Sequence, residues 1–162
     1  MLDLHFWKGR RVLVTGHTGF KGSWISLWLR ELGAEVSGVA LAPYTYPSLF
    51  EQLELSSLIK RHCLLDIGDV NGLSEIVRVC QPQVVIHLAA QPLVRQSYRD
   101  PLATWATNVQ GSLNLLEALK PLNQHCSVVM VTTDKVYANR EWYYGYREED
   151  RLGGHDPYSA SK

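Results

Sequence analysis

Charge of one sign is what this sequence lacks first: its 162 residues carry 16 Lys+Arg against 16 Asp+Glu, a formal net charge of zero. A balanced surface builds no field that would gather nucleic acid or an anionic membrane. Cysteine is scarce and scattered. Cys63, Cys80 and Cys126 are odd in number and show no metal-ligand spacing. That excludes a disulfide framework and a thiolate metal site, and predicts free buried thiols in a reducing compartment. The histidines show no metal spacing either, so His17 and His87 read as loop or core residues and no metal is expected. No apolar run could span a bilayer. The opening Met-Leu-Asp-Leu-His-Phe-Trp-Lys is too short and too mixed for a signal peptide, so the expectation is a cytoplasmic protein. Hairpin signals, internal repeats and low-complexity tracts are also missing, which argues against all-β and repeat architectures.

What is present is a chain 46% hydrophobic and 20% charged, long enough for one domain with a real core. Its organising stretch begins with Val12, Leu13 and Val14, a short apolar run suited to a central strand covered on both faces. Gly16, Gly19 and Gly22 follow at once, in the spacing G-x2-G-x2-G, and then an amphipathic segment over 20–32. Gly16 would let the chain turn out of the strand, Gly19 would clear a Cβ from the path of a pyrophosphate, and Gly22 would let the helix lie close to the sheet. The helix N-terminus would then face the phosphates. Lys21 opposes the helix dipole there, a conflict that a phosphate would remove, although a solvated lysine is the plainer reading.

Further strands are expected at 35–41, 62–67, 84–90 and 128–132, and helices at 49–58, 69–80, 101–120 and from Pro157 onward. Trp24 and Trp28 are expected on the inner face of the first helix, and residues 92–100 as an irregular segment. Pro101 suits the first turn of its helix, where a missing N–H costs nothing. Strand and helix alternate five times, which predicts an α/β fold with a doubly wound parallel sheet. The chain stops shortly after its last helix begins, so residues 1–162 are expected to be the N-terminal dinucleotide-binding part of a longer protein.

Chemistry-bearing residues gather at the expected carboxyl ends of the strands. Tyr158 and Lys162 are spaced i, i+4, which would place both on one helical face. A nearby ammonium stabilises phenolate, so that a tyrosine can take a proton from a sugar hydroxyl while hydride leaves. Thr133 could donate to a substrate oxygen, Asp134 could act as an acid if protonated in a dry site, and Lys135 as a base if its pKa is depressed; a strand-to-loop cap is the alternative for all three. Asp66 and Ile67 could meet an adenine, Asp66 equally serving as a turn residue. Leu88, Ala89 and Ala90 are small enough to let a dinucleotide lie across the sheet edge. Thr107 and Asn108 sit inside a long helix despite the poor helix propensity of Asn, which hints at an inward polar role.

Thr15-Gly-His-Thr-Gly-Phe-Lys-Gly22, Asn108-Val-x-Gly111 and Tyr158-x3-Lys162 resemble the extended short-chain dehydrogenase/reductase family. With Ala89-Ala-Gln-Pro-Leu-Val-Arg-Gln-Ser-Tyr98 and Thr133-Asp-Lys135, the resemblance is to its nucleotide-sugar 4,6-dehydratases, and it covers essentially the whole chain. It implies a Rossmann-like fold, truncated here before its last strands and the substrate-binding part, and a homo-oligomer pairing through long helices such as 101–120, for which burial within the monomer is the equal alternative. It implies an NAD cofactor held by Gly16, His17, Thr18, Gly19, Phe20, Lys21, Gly22, Asp66, Ile67, Leu88, Ala89, Ala90, Thr107, Tyr158 and Lys162. Gln91, Asn108 and Thr133 would contact substrate, and Thr133, Asp134, Lys135, Tyr158 and Lys162 would be catalytic. The implied reaction is oxidation at C4 of the sugar, loss of water across C5 and C6, and hydride return to C6, in deoxysugar biosynthesis of the O-antigen type.

Lys135 departs from the glutamate usual in sister enzymes, which favours the branch acting on CDP-glucose and opens the question of the C5 base. Pro92 stands where a serine often provides a substrate contact. The expected second strand ends Val-Ala-Leu-Ala-Pro43, with no acid for a ribose 2′-hydroxyl and no arginine for a 2′-phosphate, so NAD is chosen over NADP by the resemblance alone. A different nucleotide-sugar dehydratase, a 4-epimerase and a cofactor-sensing module without turnover are the alternatives.

Overall fold

Val12, Leu13 and Val14 are almost wholly buried and form the middle of β1 (Arg11–Thr15), the centre of a five-stranded sheet. The computed structural model describes residues 5–162; the first four residues of the opening segment weighed above as a signal peptide lie outside the described residues. Strand order is β3–β2–β1–β4–β5, with β2 at Glu35–Ala40, β3 at Arg61–Leu64, β4 at Val84–His87 and β5 at Ser127–Met130. Every pairing is parallel. This is the doubly wound α/β sheet that the alternation of elements predicts. The order reverses between β1 and β4, so the crevice for a ligand lies at the carboxyl ends of those two strands.

Alternating side chains on each strand feed two cores. Val12, Val14 and Val36 face α1 (Phe20–Glu31), α2 (Leu49–Gln52) and α3 (Leu55–Leu58), where they meet Leu29, Phe50 and Leu55. On the opposite face Leu13, Val39 and Val85 meet Leu73 and Val77 of α4 (Val70–Cys80) and Leu115 of α7 (Gly111–Leu119). Asp69 caps α4 by accepting from the Gly72 N–H.

Several local expectations change. Trp24 and Trp28 are 53% and 63% exposed rather than inward. The buried face of α1 is Gly22, Ser23, Ser26 and Leu29. This small-residue face brings the helix close to the sheet, and large rings would hold it off. The single helix expected at 49–58 is two short ones, because Glu54 between them takes a left-handed φ of 48°. The segment after Pro92 is not irregular but contains α5 (Val94–Arg99). The long helix is α6 (Pro101–Trp105), a π-helical turn (Ala106–Gln110) and α7. Pro101 does open it, and Asp100 caps it by accepting from the Ala103 N–H. Only Cys80 is buried; Cys63 and Cys126 are half-buried, all three are free, and burial pushes the thiols of Cys63 and Cys126 up. Among the described residues no helix is long and apolar enough to cross a membrane.

Candidate functional site

The β1–α1 loop is shaped by contacts that only glycine permits. Gly16 has a φ of +74°, and a Cβ on it would sit 2.8 Å from the backbone nitrogen of Ala89, past the end of β4. A Cβ on Gly22 would lie 2.0 Å from the Gly16 carbonyl oxygen, so the first turn of α1 rests on the loop itself. Gly19 is the N-cap of α1 and offers no capping side chain, and the first turn holds no acid. The amides of that turn therefore remain available to an anion. Thr15 pins the loop to β4: its hydroxyl oxygen accepts the N–H groups of Leu88 and Ala89, both at 3.1 Å, and lies 2.7 Å from Nδ1 of His87.

A groove of about 430 Å³ runs from this loop across the carboxyl ends of the strands. Its walls include Gly16, Thr18, Gly19, Phe20, Lys21 and Gly22 at one end, Asp66, Ile67, Leu88, Ala89, Ala90 and Thr107 along its length, and Tyr158 and Lys162. The structure thus brings together every residue expected at the cofactor except His17. That side chain is fully buried away from the groove, against Phe50 and the bare Cα of Gly38, with Nε2 2.7 Å from Nδ1 of His62. Burial first, then the neighbouring His62, pushes its pKa down to about 4. The loop's main chain borders the groove while this ring serves the core.

Reading by residue type missed Ala40, Leu41, Ala42, Tyr44, Leu65, Val131 and Thr132, which line the groove together with Pro92. Most lie at or just past the ends of β2, β3 and β5, and the rule that ligands sit at the carboxyl ends of parallel strands could have found them. The groove fits an extended dinucleotide: one end offers a helix N-terminus and a bare glycine, and the middle offers small and apolar side chains. Asp66 accepts the Gly68 N–H through one carboxylate oxygen and keeps the other.

At the other end Asp156 caps α8 (Pro157–Ala160), accepting from the Ser159 amide at 2.9 Å and the Ser159 hydroxyl at 2.5 Å. Tyr158 lies within α8, and Lys162 follows the C-cap Ser161. Both line the groove. Lys162 is half-buried, and burial lowers its pKa. Behind it His87 is buried, and burial first, with Lys162 second, pushes its pKa down to about 4.

The residues expected to touch substrate are placed differently. Asn108, 4% exposed, accepts the Gln91 N–H and donates to the Gln91 carbonyl and the Ser161 hydroxyl. Gln91 spends its own amide on Leu93 and Thr104. Both hold the β4–α5 connection and the end of α8, and neither lines the groove. Thr133, Asp134 and Lys135 also stand outside its walls, at a short 3-10 turn (Asp134–Val136) that the Thr133 hydroxyl caps. Asp134 is exposed, 3.1 Å from the Thr133 hydroxyl and 3.7 Å from Nζ of Lys135. That hydroxyl first, then Lys135, holds its carboxyl below the usual range, so the dry, protonated environment expected for an acid is not what surrounds it here. Among the described residues no three His, Cys, Asp or Glu side chains cluster to hold a metal.

The GDP-mannose 4,6 dehydratase family model matches residues 13–162. The CDP-glucose 4,6-dehydratase of Salmonella typhimurium is 53% identical over 162 residues, all of this chain and 45% of that protein. Among solved structures, the Thermotoga maritima UDP-glucose 4-epimerase with UDP-glucose is 28% identical with a TM-score of 0.80, over 93% of this chain and 47% of that one. The Thermus thermophilus UDP-glucose 4-epimerase in complex with NAD is 30% identical with a TM-score of 0.77, over 94% and 47%. The chain spans about half the length, or less, of the curated relatives it matches.

Proposed function

Since the chain belongs to the GDP-mannose 4,6 dehydratase family, we propose that it is the dinucleotide-binding and catalytic part of an NAD-dependent hydro-lyase converting CDP-glucose to CDP-4-keto-6-deoxyglucose. The observation that carries this reading is a single groove joining the glycine loop to Tyr158 and Lys162. The 53% identity to a CDP-glucose 4,6-dehydratase supports the choice of sugar nucleotide. NAD is supported by the solved neighbour that holds it; the groove residues at the end of β2 carry neither an acid nor an arginine and do not choose between NAD and NADP.

The α1 N-terminus with Lys21 would hold the pyrophosphate, and Asp66 and Ile67 the adenine end. Held there, NAD would supply the hydride acceptor for oxidation at C4 of the hexose and the donor for reduction at C6. Tyr158 takes the proton of the C4 hydroxyl. The ammonium of Lys162 favours the phenolate that does so. The resulting ketone acidifies the C5 proton, which Lys135 removes, directly or through a water, and gives back to C5 when hydride reaches C6 of the enone left by elimination. Asp134 gives a proton to the departing C6 hydroxyl. For that, bound substrate has to exclude water from the 3-10 turn, since desolvation raises a carboxyl pKa and the Thr133 contact now lowers it. Asn108 and Gln91 position the active-site wall, and any contact with substrate is made by their segments rather than by free amides.

The exposed apolar stripe of α6 and α7, with Leu102, Trp105, Leu113 and Leu116, is the surface through which two copies would pair. The reading places the enzyme in the cytoplasm, supplying deoxysugars of the O-antigen type. The 4-epimerases among the neighbours favour a second reading, in which hydride returns to C4 and no water is lost. Incubating the full-length protein with CDP-, UDP-, dTDP- and GDP-linked hexoses separates the two. The expected result is a 4-keto-6-deoxy product, with CDP-glucose the best substrate.

A further inference from the structure

The loop between the 3-10 turn and α8 borders a second, open cavity that shares no residue with the dinucleotide groove. Its volume is about 340 Å³, within the range of small-molecule sites. Ala138, Arg140, Trp142, Tyr146, Asp150 and Arg151 line it. The walls are fixed. Tyr146 stacks on Tyr137 with centroids 5.0 Å apart, and Trp142 stacks on Tyr144 at 4.6 Å. The Tyr146 hydroxyl accepts the Arg140 N–H and donates to Asn139, and the Ala138 N–H donates to the Arg151 carbonyl.

The cationic side chains, by contrast, are unused. Among the described residues neither the Arg140 nor the Arg151 guanidinium has an ion pair or a hydrogen bond, and both residues are exposed. Asp150 is occupied in part by the Arg147 N–H at 2.6 Å. The Trp142 Nε1–H is buried without a partner. Guanidinium forks match phosphate oxygens bidentately, and aromatic faces hold planar rings. Two guanidinium groups against the single carboxylate of Asp150 leave the wall net positive, which favours an anion, and a bare inorganic anion would leave the aromatic wall empty.

We propose that this cavity is a nucleoside-phosphate site separate from the dinucleotide groove, with the base or ribose against Trp142 and Tyr146 and the phosphates on Arg140 and Arg151. The ligand is either the nucleotide half of the sugar nucleotide or a free nucleotide; only that choice of source rests on the proposed function.

The test is calorimetric titration of the full-length protein with CDP in saturating NAD, for wild type, Arg140→Ala/Arg151→Ala and Arg140→Lys/Arg151→Lys. A parallel arm uses inorganic pyrophosphate. The expected result is a loss of CDP affinity of about tenfold or more in the alanine pair, a smaller loss in the lysine pair, which keeps charge but not the fork, and unchanged NAD affinity. Pyrophosphate is expected to bind more weakly than CDP. CDP affinity within about twofold of wild type in the alanine pair, or CDP displaced by NAD, would overturn the site, and pyrophosphate binding as tightly as CDP would remove the nucleoside from it. Competitive inhibition of turnover by CDP would identify the substrate's own nucleotide half, and non-competitive inhibition a free nucleotide. CDP binding without turnover of CDP-glucose would sink the proposed reaction and leave the site standing.

Discussion

His87 gives the fold a pH dependence that can be worked out from its surroundings. Its ring is buried, with Nδ1 2.7 Å from the Thr15 hydroxyl and Nε2 3.0 Å from the Ser112 hydroxyl, and its pKa is pushed down to about 4 by burial and by Lys162. In the unfolded chain an imidazole titrates near 6.5. Between those two pH values the unfolded chain holds a proton that the folded chain does not, so stability falls as pH drops through 6.5 and levels off below about 4. The gap corresponds to at most ~3.4 kcal/mol, of which ~2 kcal/mol is lost between pH 7.5 and pH 5. His17, also near 4, adds a loss of the same sign and similar size. The window avoids most carboxylate titration. Urea unfolding at pH 7.5, 6 and 5 measures the loss. His87→Gln keeps a neutral hydrogen-bonding side chain between the two hydroxyls, and its loss of stability over this window is expected to be smaller than wild type's by ~2 kcal/mol. An unchanged pH dependence in that variant would refute the reasoning.

Three further outcomes are expected. Tyr158→Phe in the full-length protein removes the proton acceptor; turnover falls by at least ~100-fold while NAD affinity, measured by titration, stays within about twofold. Gly22→Ala drives a Cβ to 2.0 Å from a backbone oxygen, so the loop must shift; denaturant unfolding should show a loss of about 1–3 kcal/mol and NAD titration a weaker site. Asn108→Ala strips the buried bonds to Gln91 and Ser161; it should cost about 1–3 kcal/mol in the same unfolding assay and lower kcat more than it raises the KM for the sugar nucleotide.

The sheet and the glycine loop were legible in the sequence because their signals are local: an apolar run, then three glycines at fixed spacing, then an amphipathic segment. Tyr158 and Lys162 could be placed at the groove because both follow the last expected strand. Other features needed the third dimension. Periodicity finds the faces of α1 but not which one the sheet accepts, and a Gly and Ser stripe outcompeted two tryptophans because it allows closer approach. The side chain of His17 is turned inward because Gly38, on the neighbouring strand, leaves room for it. The resemblance puts Asn108 and Gln91 at the substrate, and a single sequence does not show that they bond to each other.

The most direct test of the central claim is to follow CDP-glucose carrying deuterium at C4 through one reaction with the full-length protein. Loss of one water with the deuterium recovered at C6 is the predicted result, and it requires oxidation at C4, elimination and hydride return within one site. A product that keeps all its oxygens, or deuterium still at C4, would contradict it.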